Sequence, residues 1–208
     1  WVITNGVCAD SSTVTLTNYM QPVKAVAGLD SIKQCNTTSF TMNATAASPS
    51  TAVGTWSTFT GSKATITAGQ FNNPKATVTL TVGDTATLIW TVTNGTCSSV
   101  AYVKLFNYAT PTTADAGPDS VKQCMTPAFT MAATAPTVGT GKWSVKSGTA
   151  TIPSTDSSKI NAVITVANGT TAVLTWTVTN GTCSSTDDVT LVNYQSPGTA
   201  DAGLDSIV

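Results

Sequence analysis

Apolar residues alternate with Thr, Ser and other polar residues at a period of two along almost the whole chain, the pattern of strands that bury one face. In the later half this parity puts Phe129, Met131 and Ala133 on one face of a strand. Trp143 and Val145 follow on the next, then Ile160, Ala162 and Ile164, then Leu174, Trp176 and Val178, and finally Val189 and Leu191. The earlier half reads the same way through Phe40 and Met42, Trp56, Val78 and Leu80, and Leu88, Trp90 and Val92. No stretch shows a helical period. About seven short strands per unit, separated by turn residues, predict an all-β, Ig-like sandwich. Asn94-Gly95 and Asn180-Gly181 lie between alternating runs, the strongest short hairpin signal, and predict type I′ turns centred on those pairs. Thr179 would then face Thr182, and Val178 would face Cys183, which directs Cys183 inward.

The alternation is itself repeated. Trp-Val-Ile-Thr-Asn-Gly-Val-Cys starts at Trp1, and Trp-Thr-Val-Thr-Asn-Gly-Thr-Cys starts at Trp90 and Trp176, giving periods of 89 and 86 residues. AVAGLDSIKQC ends at Cys35 and ADAGPDSVKQC at Cys124, and ADAGLDSIV closes the chain at Val208. Asn-Tyr recurs at Asn18-Tyr19, Asn107-Tyr108 and Asn193-Tyr194. These markers predict two whole repeats, 25–111 and 112–198. Residues 1–24 read as the last two strands of a preceding repeat, and 199–208 as the start of a following one. The expected architecture is an elongated array of tandem sandwiches within a longer protein.

Composition narrows the chemistry. The chain has no His, Arg or Glu, and its 9 Lys and 10 Asp leave a net charge of −1, so nothing draws it to nucleic acid or an anionic membrane. No apolar run approaches the ~18 residues of a membrane helix. An apolar fraction of 41% and five placed tryptophans argue against disorder. Without His or Glu, and with Asp scattered over turns, no acid–base or nucleophilic constellation converges, which argues against an enzyme. The cysteines lack the paired short spacings of a zinc site. Asp115 with Asp119, or Asp187 with Asp188, offers oxygen ligands for calcium, but the first repeat lacks part of this set. No catalytic, cofactor or metal residue is therefore assigned.

The parity places Trp1, Trp56, Trp90, Trp143 and Trp176 in cores rather than on a ligand platform. The tyrosine of each Asn-Tyr pair is read as packing beside the linker, with sugar stacking as the alternative. The five cysteines, Cys8, Cys35, Cys97, Cys124 and Cys183, point to disulfides, and the odd count to a partner outside the chain. Two schemes compete. Pairing within repeats joins Cys35–Cys97 and Cys124–Cys183 and leaves Cys8 for the preceding unit. The Ig-like topology makes this awkward: a strand of about eight residues separates the two ends by ~26 Å, whereas bridged Cα atoms lie within ~7 Å. The alternative joins Cys35 to Cys183, staggered from one repeat to the next. Cys97–Cys124 is the worst placed pair.

ADAGPDSVKQC, GTGKWSVKSG and LTWTVTNGTCSSTDDVTL, in that order, resemble the PKD-like/Ig-like repeats of very large Bacteroidetes surface proteins, the gliding-motility adhesins and related type IX-secreted filament proteins. The resemblance covers the whole chain. It implies export to the extracellular cell surface and a role as filament or stalk, without naming a ligand. Val26 replaces the Asp of Asp115 and Asp201, and Val100-Ala101-Tyr102 replaces Thr186-Asp187-Asp188, so no Asp function is common to every repeat. The same resemblance marks Asp-Ser/Thr-aliphatic sites for O-glycosylation at Ser31, Ser120 and Ser206, with Thr85 in Asp84-Thr85-Ala86. The plain alternative is that Asp and Ser serve a turn there.

Together these readings describe a structural repeat that gives length and stiffness to a surface filament or adhesin stalk, without a cofactor. Its partners would be neighbouring repeats of the same chain, other filament chains or surface glycans. The alternative is a repeat that itself binds glycans or a partner protein multivalently.

Overall fold

The computed structural model describes residues 1–203. The described residues form strands and loops without a helix, so the expected all-β, Ig-like class is the fold observed. The chain opens with a two-stranded hairpin, β1 (Val2–Asn5) and β2 (Cys8–Ser11). The first sandwich follows with β3 (Ser31–Cys35), β4 (Ser39–Thr41), β5 (Val53–Thr58), β6 (Thr65–Ile66), β7 (Thr77–Thr79), β8 (Thr85–Asn94) and β9 (Cys97–Tyr108). Its sheets run β3-β9-β8-β5 and β4-β7-β6. The second comprises β10 (Ser120–Cys124), β11 (Ala128–Thr130), β12 (Thr140–Gly148), β13 (Val163–Thr165), β14 (Thr170–Asn180) and β15 (Cys183–Tyr194), in sheets β10-β15-β14-β12 and β11-β13.

Long strands β8, β9, β14 and β15 carry the clearest alternation, and their inward residues are the core. Leu88, Trp90 and Val92 on β8, and Leu174, Trp176 and Val178 on β14, are all buried. So are Trp56 on β5 and Trp143 on β12, each directly across its sheet from Trp90 or Trp176. Both tryptophan pairs have ring centroids 5.0 Å apart and tilted by 46°, between stacked and edge-on. Phe40 and Phe129 close the cores from the opposite sheets. Gly141, on β12 diagonal to Trp176 across the sheet, leaves the space that the Trp176 indole fills: a Cβ there would meet the ring at 2.0 Å. That explains the glycine two residues before each core tryptophan on β5 and β12.

Four expectations need correction. Trp1, expected in a core, is 86% exposed, and among the described residues β1 has only β2 beside it and no second sheet over its face. Val145 is 40% exposed: it still pairs with Leu174, but it lies on edge strand β12 where a bulge between Val145 and Ser147 interrupts the ladder. Ile160 lies in a turn rather than a strand and is also 40% exposed.

The hairpin turn is the fourth. Asn180 pairs with Cys183 and Thr179 with Ser184, so the central residues are Gly181 and Thr182. Only the glycine has positive φ, at 60°, which is the type II′ arrangement rather than I′. Relative to the expected register the pairing is displaced by two positions. Side chains keep their faces under such a shift, so Cys183 still points inward and is 3% exposed.

The chain divides into two compact units. The first comprises Trp1–Ile32, Ser39–Thr81 and Thr85–Leu105; the second comprises Lys33–Thr38, Val82–Asp84 and the chain from Phe106 onward. Backbone bonds hold the short segments in the second unit: Asn36 N–H donates to the Tyr108 carbonyl (2.8 Å), and Gly83 N–H to that of Asn107 (2.6 Å).

Candidate functional site

The same cluster of contacts recurs once in each unit around the Gly of the last hairpin. In the second unit the Tyr108 ring lies over Gly181 so closely that a Cβ there would sit 2.3 Å from it. Glycine is therefore required twice at this point, by φ and by the ring. Asn180 Nδ2 donates to the Ala109 carbonyl (2.9 Å), fixing the chain just beyond the tyrosine. Ala114 N–H donates to Ser185 Oγ (2.9 Å), and Ala116 N–H to Asp187 Oδ2 (2.7 Å). Four residue types on one hairpin thus hold the segment after Asn-Tyr.

In the first unit Tyr19 takes the same place: a Cβ added to Gly95 would sit 2.2 Å from its ring. Asn94 Nδ2 donates to the Met20 carbonyl (2.7 Å), and Ala25 N–H to Ser99 Oγ (2.9 Å). The third bond is missing because Ala101 replaces Asp187. A shallow open groove beside this cluster is lined by Tyr19, Met20, Pro49, Thr51, Asn94 and Gly95. Tyr194, in the third Asn-Tyr pair, is about half exposed.

The cysteines are placed by the same elements. Cys35 and Cys183 form a disulfide with Cα atoms 5.3 Å apart. Both lie in the second unit, beside Tyr108: Asn36 bonds to its carbonyl, and Cys183 Sγ lies 3.5 Å from that oxygen. Cys8, Cys97 and Cys124 are unbridged thiols. The within-repeat pairs Cys35–Cys97 and Cys124–Cys183 are therefore not formed. The parallel pairing of β10 with β15 shows why for the second pair, because it sets Cys124 opposite Tyr194. Cys183 begins the same strand eleven residues earlier, roughly 36 Å away at about 3.3 Å per residue.

Three of the four aspartates read as possible calcium ligands, Asp115, Asp187 and Asp188, have protein partners for their carboxylates. Asp115 accepts from Thr134 Oγ1 (2.7 Å) and Gly117 N–H (2.9 Å), and these bonds, the threonine's first, lower its pKa. Lys146 and Thr175 do the same to Asp188, the lysine contributing most. Asp187 is engaged with Ala116, and the Asp119 carbonyl accepts from Thr190 N–H. Among the described residues no three acidic or cysteine side chains gather as a metal site.

Of the glycosylation candidates, Ser31 opens β3 and is half-buried, while Thr85 and Ser120 open β8 and β10 and are exposed. Ser206 lies outside the described residues. One feature had no repeat signature to reveal it. Phe106 stacks on Tyr108 at 6.0 Å, and Lys33 Nζ stands 5.7 Å over the Phe106 ring. Val192 occupies the equivalent place in the second repeat, so the repeat pattern masks the platform.

No family model and no curated protein matches the chain. Among solved structures it is similar to immunoglobulin domains 1–4 of Sidekick-1, with 12% identity and a TM-score of 0.53 over 86% of this chain and 50% of that one. Extracellular domains 3–5 of Drosophila OTK give 14% identity and a TM-score of 0.51 over 85% of this chain and 61% of that one. The chain thus spans between half and two thirds of these structures. The likeness is one of fold, a tandem of Ig-like sandwiches.

Proposed function

We propose that this chain is a tension-transmitting segment of an extracellular surface stalk, in which tandem sandwiches supply length and a staggered disulfide limits extension. The observation that carries the reading is the Cys35–Cys183 bond, which spans 148 positions of the sequence. A pull applied before Cys35 and after Cys183 passes through the sulfur bridge, and the residues between them carry no covalent load. The two Tyr–Gly contacts add a non-covalent hold at each hairpin. A structural disulfide of this kind suits an oxidising, extracellular setting. The chain's partners on this reading are neighbouring repeats of the same kind, and its role is neither enzymatic nor dependent on a cofactor. Filament assembly and glycosylation at Ser31, Thr85 or Ser120 belong to the same picture of a secreted surface protein.

Stretching single chains by their ends tests it. With the bridge intact, complete unfolding should fall short of the full contour by roughly 500 Å, at 3.3–3.6 Å per residue. Reductant should restore that length. Equal extension with and without reductant would dismiss the proposal. The groove beside Tyr19 favours a second reading, a repeat that binds glycans. That reading requires saturable binding to a glycan panel, lost in Tyr19→Ala.

A further inference from the structure

Cys97 and Cys183 share one environment, yet only Cys183 is bonded. Each follows an Asn-Gly hairpin whose glycine lies under a tyrosine, with the asparagine holding the carbonyl of the next residue. Cys97 Sγ stands 3.9 Å from the Tyr19 carbonyl oxygen, as Cys183 Sγ stands 3.5 Å from that of Tyr108. Cys35 and Cys124 form a second matched set. Each ends the first strand of its repeat and precedes a non-glycine residue in the left-handed region, Asn36 (φ 47°) or Met125 (φ 59°). That residue's N–H donates to the carbonyl of Tyr108 or Tyr194, at 2.8 and 3.1 Å. Cys97 therefore has every local feature of Cys183 except a partner of the Cys35 kind. Cys124 has those of Cys35 except a partner of the Cys183 kind.

We infer that Cys97 and Cys124 are half-sites of the same staggered bond: Cys97 takes the first-strand cysteine of a repeat N-terminal to it, and Cys124 the hairpin cysteine of a repeat C-terminal to it. The partner in each case is another repeat of this type in tandem, so the inference rests on the stalk reading and extends it. Successive bonds would then overlap, since Cys124 lies inside the loop closed by Cys35 and Cys183. Every repeat is bridged on both sides, and no stretch of array is left unshielded. The chemistry is thiol–disulfide exchange with a small disulfide oxidant such as oxidised glutathione. One thiolate attacks it and expels one thiol; the second thiolate attacks the mixed disulfide and expels the other. Two S–H groups become one S–S, and two electrons and two protons pass to the oxidant.

The test is a concatemer of residues 1–197 followed by residues 23–208, which keeps the natural spacing from Asn-Tyr to the next repeat. It places Cys124 of the first copy and Cys97 of the second 148 positions apart, the separation of Cys35 and Cys183. Cys8→Ser and Cys97→Ser in the first copy and Cys124→Ser in the second remove the cysteines left without partners. After oxidation with glutathione, lysyl-peptide mapping should find peptide 123–142 joined to peptide 76–104, with no alkylatable thiol. Finding both as free thiols while Cys35–Cys183 forms in each copy would overturn this inference and leave the stalk reading intact. Loss of Cys35–Cys183 as well would overturn both.

Discussion

The first eight residues and the eight from Trp176 carry nearly the same sequence and fold into the same hairpin, yet their environments are opposite. Trp1 is 86% exposed and Trp176 fully buried. Gly6 has no neighbour for a Cβ, whereas Gly181 lies under Tyr108. Cys8 is a free thiol, whereas Cys183 is bridged. Both glycines have φ near 60° and both turns pair Asn with Cys. Local sequence therefore builds the turn and its strands. Burial, ring contact and bond all come from residues far away in the chain, and each can be tested by changing a position in both hairpins.

The largest contrast should come from the cysteines. Cys35→Ser with Cys183→Ser removes a closed loop of 148 positions, and the chain-entropy relation puts the loss at up to about 5 kcal/mol. Cys8→Ser should leave the denaturant midpoint unchanged. Next is tryptophan: Trp176→Ala should cost about 3–5 kcal/mol through the cavity it leaves, and Trp1→Ala less than about 0.5 kcal/mol, both read from urea titration. Glycine gives a smaller difference. Gly6→Ala and Gly181→Ala share the left-handed penalty of about 1–2 kcal/mol, but only Gly181→Ala must also displace Tyr108. A double-mutant cycle with Tyr108→Ala should isolate a coupling of about 1 kcal/mol for Gly181.

The smallest effect distinguishes the two repeats. Asp115, Asp156 and Asp188 all lie in the second, each with its pKa lowered, most by the bonds from Thr134, Lys159 and Lys146 respectively. Val26 and Tyr102 stand where the first repeat would carry Asp115 and Asp188. A folded-state pKa below the unfolded value, ~3.9, means the stabilisation is complete above that pH and is lost as pH falls through the lowered pKa. Hydrogen exchange followed residue by residue should therefore show the second repeat loosening below pH ~4 with no matching change in the first. Equal loosening would remove these aspartates from the account.

The strands and sandwich class were legible because alternation directly reports which side of a strand meets a core. The long strands β8, β9, β14 and β15 obey it; Val145 departs beside a bulge on an edge strand, and Ile160 in a turn. Asn-Gly announced a hairpin, but not which residue pairs close it, since Gly-Thr satisfies a two-residue turn as well as Asn-Gly does. Repetition drew attention to Tyr19 and Tyr108 without revealing that their rings rest on the hairpin glycines. It concealed the platform of Phe106 and Lys33, because Lys122 matches Lys33 in the other repeat but Val192 stands in the place of Phe106.

The nine lysines make the staggered bond directly measurable, because cleavage after lysine places each of the five cysteines on a different peptide. Mapping the unreduced chain should yield peptide 34–63 joined to peptide 160–208, with alkylated thiols at Cys8, Cys97 and Cys124. Peptide 34–63 joined to 76–104, and 123–142 joined to 160–208, would contradict it.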